Sequence, residues 1–137
     1  MISVCIATYN GEKYIKRQLE SILSQLTDVD EIVISDDGSN DNTISIINEL
    51  NDNRVRIIYN QGPHGFVPNF ENAIRNAVGD IIILSDQDDE WITGKVNATV
   101  DAMKTYDFVY VDNVTVDSNG NVLEKSRVKA LKIKKAF

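Results

Sequence analysis

Residues 81–91, IIILSDQDDEW, run an apolar stretch straight into Asp86, Asp88, Asp89 and Glu90, with no lysine or arginine nearby in sequence. Four acids within five positions repel one another unless something positive sits among them. Asp86 and Asp88 stand two apart at a strand end, where the chain leaves its pleat and both carboxylates can turn the same way. Hard oxygen ligands of this kind hold Mg²⁺ or Mn²⁺, through one or two carboxylates, with water and substrate phosphate completing the shell. An ion so placed neutralises a diphosphate leaving group. The plainer role is capping: a helix starting near Thr93 favours acids at its positive end. Capping accounts for one or two of these side chains; four in one turn exceed it and favour metal–phosphate binding. A calcium hand does not fit, because Trp91 stands where that loop needs glycine and Asn97 where it needs glutamate.

Two further polar segments also follow apolar runs. SDDGSND (35–41) reads as a loop with a helix cap, Gly38 permitting a left-handed turn and Asp41 capping. It reads equally as a carboxylate presented to a nucleobase. TYNG (8–11) is either a turn or the place where Tyr9 walls a base pocket. GPHGF (62–66) matches neither the P-loop nor the dinucleotide fingerprint, which weakens ATPase and dehydrogenase readings. His64, the single histidine, reads as a solvated loop side chain. Without a second histidine or another cysteine there is no zinc set. Ser35, Ser39 and Ser85 lack a histidine base, so a hydrolase triad is not expected. Cys5 is alone in an apolar strand, an inert core thiol suited to a reducing compartment.

The elements that must position these groups are legible from periodicity. Strands are expected at 2–7, 31–35, 55–59, 80–85 and 108–111 (FVYV), each an apolar, β-branched run. Helices are expected from Glu12 to Leu26, after Asp41 with Ile44, Ile47 and Leu50 inward, and around Phe70, Ala73, Ile74 and Ala77 with Pro68 in the first turn. Gly79 closes that third helix, and a fourth runs from about Thr93 to Tyr106, with Trp91 packing its start under the sheet rim. Asn119–Gly120 signals a hairpin within 114–123. Strand and helix alternate, so the expected fold is α/β, a mostly parallel sheet covered on both faces with right-handed crossovers. In such sheets the binding crevice lies beyond the carboxyl ends of the strands, which is where all three polar segments fall.

In this order ATYNG, SDDGSNDNT, NQGPHGFVPNFENAI and DIIILSDQDDEW resemble the inverting family 2 glycosyltransferases with the GT-A (Rossmann-like) fold, from Ile2 to about Ser126. The resemblance implies that Ala7 and Tyr9, with Thr8 and Asn10 in the same turn, line the pocket for a donor's base. It implies that Asp37 accepts a hydrogen bond from a uracil-type ring with Asp36 supporting the turn, and that Asn60, Gly65 and Asn69 belong to the segment passing the nucleotide. Asp88 becomes the direct ligand to Mn²⁺ or Mg²⁺ on the diphosphate, with Asp86 a second metal or ribose contact and Asp89 nearby. Gln87, where many members carry a small residue, resembles the branch that handles deoxyhexose donors such as dTDP-rhamnose, and YVDNVTVDSNGNVLEKS suits that branch. The implied reaction moves a sugar from a UDP or dTDP donor to a hydroxyl on a saccharide or lipid-linked saccharide, in bacterial surface polysaccharide synthesis on the cytoplasmic side of a membrane. Family members run longer, and their second half supplies the acceptor site and the catalytic base. The base is therefore expected beyond residue 137, since Asp112 and Asp117 do not match its place, and this piece alone is expected to turn over little or nothing.

The resemblance implies an α/β donor-binding domain over 1–124 followed by a basic segment, 125–137, and the bulk numbers agree with a single domain. At 137 residues the chain can bury a real core, and its net charge of −7 argues against nucleic acid as a partner. Lys125, Arg127, Lys129, Lys132, Lys134 and Lys135 crowd the last stretch. The plain reading of that run is a solvated helix or tail, and contact with anionic lipid headgroups is the second. No run approaches the roughly 20 apolar residues of a membrane span, and MISVCIATYN is not expected to act as a secretory leader. A domain cut short would expose apolar surface and self-associate. Competing functions are a sugar-phosphate nucleotidyltransferase, disfavoured by the lack of a glycine- and arginine-rich loop after the first strand, an aspartyl phosphatase or receiver, and a non-catalytic nucleotide-binding domain.

Overall fold

The computed structural model describes residues 1–117 and 119–130. β1 (Ile2–Thr8), β2 (Glu31–Asp36), β3 (Val55–Tyr59) and β4 (Ile81–Asp86) form a parallel sheet in the order β3-β2-β1-β4. α1 (Ile15–Leu23), α2 (Thr43–Glu49) and α3 (Phe66–Asn76) make the crossovers, and α4 (Lys95–Met103) follows β4. The described residues divide into two units, Met1–Ala98 and those from Thr99 onward.

In the first unit, β1 and β2 are interior strands, and Val4, Cys5, Ile6, Ile32, Val33 and Ile34 are all fully buried. A strand covered on both faces reads as a continuous apolar run, which is why these two were plain in the sequence. α3 packs Ala73 against Cys5 and Val33, with Ile58 and Ala77 beside them. Strand alternation puts Val4, Ile6, Ile32 and Ile34 on the opposite face, where Ile15, Leu19 and Ile22 of α1 and Ile47 of α2 supply further buried apolar surface. Cys5 is a buried core thiol, as expected, with burial foremost and then the charge of Glu31 pushing it up to about 11. The expected inner stripe of α3 is shifted: Ile74 is exposed, and Asn69 is buried together with Phe70 and Ala73. β4 is an edge strand, so Ile83 and Ser85 are buried while Ile82 and Leu84 face outward.

Gly79, between α3 and β4, is needed for space. A Cβ there would lie 2.6 Å from the Ser3 nitrogen and 2.9 Å from the Ile2 carbonyl carbon, both main-chain atoms that cannot swing aside. Its own amide donates to Ser3 Oγ at 2.8 Å. Gly79→Ala is therefore expected to cost about 2 kcal/mol, read as a lower urea midpoint with an unchanged slope.

The expected strand at 108–111 does not form. Phe108 is 82% exposed and Tyr110 57%, and among the described residues no strand pairs with this segment. Strand propensity describes fit to a neighbour, and an apolar, β-branched run without one stays irregular. The second unit instead holds the hairpin of β5 (Thr115–Val116) and β6 (Val122–Glu124), with Gly120 at φ 82° where the turn was expected. Asp117 Oδ1 accepts from the amides of Asn119 (2.8 Å) and Asn121 (2.9 Å), so this carboxylate is occupied with the turn. Asp112 accepts from the Ser126 hydroxyl at 2.6 Å and the Val128 amide at 3.0 Å, securing α5 (Arg127–Ala130). Arg127 pairs with Glu124 at 2.9 Å. Lys132, Lys134 and Lys135, half of the basic residues in the expected lipid contact, lie outside the described residues. Among the described residues no helix is long and apolar enough to cross a membrane.

Candidate functional site

The strand register levels the carboxyl ends into a rim: Thr8 lies beside Asp36, and Ala7 beside Asp86. The connection runs one way from β1 to β2 and β3 and then returns across to β4, so a crevice opens at β1, where the order reverses. A cleft of about 360 Å³ occupies this position. Ala7, Thr8 and Tyr9 line it from the end of β1, Asp37 from the loop after β2, Gly65 and Asn69 from the start of α3, and Asp86 and Asp88 from the end of β4. Residues chosen from four separate segments thus face one space. Phe66 and Gln87 complete the wall and were not expected there. Phe66 is 66% exposed and leans edge-on to Phe70, 4.9 Å between ring centroids; an apolar residue at a helix start gives no sequence signal that it serves a cleft rather than the core.

Asn10, Asp36 and Asn60 stand behind the lining. Asp36 is 1% exposed and accepts from the Thr8 hydroxyl at 3.0 Å and the amides of Gly38 and Ser39 at 3.1 and 2.9 Å. It builds the turn, with Gly38 at φ 89° as expected, and presents nothing to the cleft. Asn10, at φ 50°, donates its amide to Ser39 Oγ and accepts from the Asn40 amide, both at 2.9 Å, so it stitches the first loop to the second. Asp41 accepts the Thr43 amide at 3.0 Å at the head of α2, close to its expected capping role. Asn60 donates to Asp37 Oδ1 at 2.7 Å and to the Pro63 carbonyl at 2.8 Å.

Asp37 is held from three sides. The Gly65 amide donates to its Oδ2 at 2.7 Å, while Asn60 Nδ2 and His64 Nδ1 lie 2.7 and 2.9 Å from its Oδ1. Burial pushes this carboxyl up, but the Gly65, Asn60 and His64 contacts outweigh it and leave the group below the usual carboxylate range. It is ionised at neutral pH, with lone pairs left on Oδ2. His64 is solvated, as expected, yet one ring nitrogen rests on Asp37. Asn69, 3% exposed, donates to the Thr8 carbonyl at 3.1 Å, and its Oδ1 has no partner among the described residues. An unpaired buried acceptor in a cleft wall is costly unless a ligand donor meets it.

The acidic turn sorts its own charges. Arg17 of α1 pairs with Glu90, and Lys95 of α4 faces Asp89, two cations that the local sequence reading passed over. Burial, then the charges of Asp86 and Asp88, push the Asp89 carboxyl up against the pull of Lys95. Trp91 is buried as expected, its Nε1 donating to Ser85 Oγ at 2.9 Å with Lys95 Nζ 4.3 Å from the ring centroid. Asp86 and Asp88 are left over: no salt bridge among the described residues reaches either. Burial first, and then the charge of Asp88, push the Asp86 carboxyl above its ordinary value. Two uncompensated carboxylates facing open space suit a divalent cation. Among the described residues no three acidic, histidine or cysteine side chains gather into a complete cage, so such an ion needs oxygens from a ligand as well.

Solved structures share this fold. S. aureus TarS superposes with a TM-score of 0.67 at 25% identity over 84% of this chain and 34% of that one. Glucosyl-3-phosphoglycerate synthase from Mycobacterium tuberculosis, solved with Mn²⁺, UDP and glucosyl-3-phosphoglycerate, gives 0.56 at 26% identity over 64% of this chain and 33% of that one. The fold is that of the GT-A glycosyltransferases. Residues 3–136 match the model of glycosyl transferase family 2, and the chain belongs to that family. Among its relatives, the Escherichia coli UDP-Glc:alpha-D-GlcNAc-diphosphoundecaprenol beta-1,3-glucosyltransferase WfaP is 37% identical over 105 residues, 77% of this chain and 42% of the relative. The Shigella flexneri dTDP-rhamnosyl transferase RfbG is 41% identical over 107 residues, 72% of this chain and 36% of the relative. The chain thus spans about two fifths of the length of these curated relatives.

Proposed function

We propose that this chain is the donor-binding part of a metal-dependent glycosyltransferase that moves a sugar from a UDP or dTDP carrier to a hydroxyl acceptor. The observation that carries the reading is the meeting of Asp86 and Asp88, two carboxylates without a cation, with Tyr9 and Asp37 across one cleft. Tyr9, 54% exposed at the mouth, offers a face for a base to stack on. Asp37 offers the acceptor that a pyrimidine imide N–H seeks, and Asn69 Oδ1 offers a second. Asp86 and Asp88 would hold Mn²⁺ or Mg²⁺ against the diphosphate, and the ion supplies charge neutralisation for the departing nucleotide. Relatives named for UDP-glucose and dTDP-rhamnose support a pyrimidine carrier, and the diphosphoundecaprenol acceptor in one such name supports a lipid-linked saccharide in surface polysaccharide synthesis.

Titration calorimetry with UDP, dTDP and GDP tests the reading. A pyrimidine diphosphate should bind with Mn²⁺ present and about tenfold or more weakly with chelator, and GDP should bind worst. No binding of UDP or dTDP in Mn²⁺ rejects the proposal.

A further inference from the structure

Gln87 sits in sequence between the two cleft-facing carboxylates, yet its side chain reaches back to β1. Its Oε1 accepts the Tyr9 N–H at 3.0 Å, and its Nε2 donates to the Tyr9 carbonyl at 3.1 Å. A carboxamide carries one acceptor and one donor group side by side, so it can satisfy both main-chain groups of a single residue. The ladder between β1 and β4 ends at Ala7 beside Asp86. Past that point β4 turns away, and the Gln87 side chain supplies the rung that its backbone no longer can.

Gly11 makes room for this contact. A Cβ there would lie 2.5 Å from Gln87 Oε1 and 3.0 Å from its Cδ. Gly11 is not among the residues at positive φ, so its glycine serves space rather than turn geometry. Behind the same turn, Gln18 Nε2 donates to the Asp86 carbonyl and to Ser85 Oγ. The turn carrying Asp86 and Asp88 is therefore tethered to α1 by Gln18 and to the end of β1 by Gln87.

We infer that Gln87 is a positioning residue that couples Tyr9 to the Asp86–Asp88 turn, making nucleoside and metal binding interdependent. The inference rests on the donor-binding reading above. A base that stacks on Tyr9 fixes its main chain, Gln87 carries that order to the turn, and Asp88 is set for the ion. The same route runs in reverse when metal binds first, as linkage requires.

The test is the factor by which Mn²⁺ tightens UDP, measured by calorimetry on the whole chain for two variants. Gln87→Ala removes the tether. Gly11→Ala keeps Gln87 but displaces the far end of its flexible side chain. Gln87→Ala and Gly11→Ala should each cut the factor by about tenfold and shift the Tyr9 amide resonance in the free protein. A merely structural role would lower melting temperature and leave the factor alone. The inference is overturned if Gly11→Ala or folded Gln87→Ala keeps the wild-type factor, or if wild-type chain binds UDP with no gain from Mn²⁺. Should Gln87→Ala fail to fold, Gly11→Ala decides. Wild-type chain that binds no UDP in Mn²⁺ rejects the donor reading itself, and this inference with it.

Discussion

Asp88→Ala is expected to erase most of the Mn²⁺-dependent gain in UDP affinity, a loss of about a hundredfold, with no damage to the metal-free fold. The asymmetry follows from the charge pattern. Asp88 is exposed and forms no ion pair among the described residues, so its removal breaks no internal bond there. Its charge helps to push the Asp86 carboxyl up, second to burial. A carboxyl whose pKa rises on folding costs stability once pH is above its folded value, and this penalty vanishes below the ordinary carboxylate range. Removing Asp88 relieves part of that penalty at neutral pH. The metal-free variant should therefore melt at or slightly above the wild-type temperature while its calorimetric response to Mn²⁺ collapses. Wild-type metal response in Asp88→Ala would remove Asp88 from the metal site.

Asp36→Ala should do the opposite, damaging the fold first. Asp36 is buried, and its two oxygens satisfy the Thr8 hydroxyl, the Ser39 hydroxyl and two loop amides. Alanine orphans all of them. Water can reach the loop amides more readily than the buried Thr8 hydroxyl, so the net cost should be about 3 kcal/mol, a fall of about 10 °C in melting temperature. Asp36→Asn should cost less, about 1 kcal/mol. Its remaining oxygen can still serve the amides, and the two hydroxyls can rotate to accept from the new NH₂. Thermal melts of both variants check the order, and an alanine variant as stable as wild type would show that the turn does not depend on this carboxylate.

Much of this was legible because topology does the placing. A parallel α/β sheet sends every strand's carboxyl end to the same rim, so polar residues after β1, β2 and β4 had to meet wherever their exact turns went. What stayed hidden were meetings between distant side chains. Tyr9 and Gln87 are separated by 78 positions, and nothing local announces that a glutamine will bond another strand's main chain. Arg17 with Glu90 is the same case: nothing local links an arginine of α1 to an acid beyond β4, and their pairing changed which acids were left for a metal. The FVYV error came from the other direction, since residue type can favour extension but cannot supply a neighbouring strand. Asp36 and Asp37 are adjacent and chemically identical, and only the direction of the turn assigns one to the interior and the other to the cleft.

The contacts on Asp37 bear on how tightly anything can be gripped there. Gly65, Asn60 and His64 fix its carboxylate before a guest arrives, so its torsional freedom has already been surrendered during folding. An incoming N–H need not immobilise it again, and that contact returns more of its gross energy as affinity.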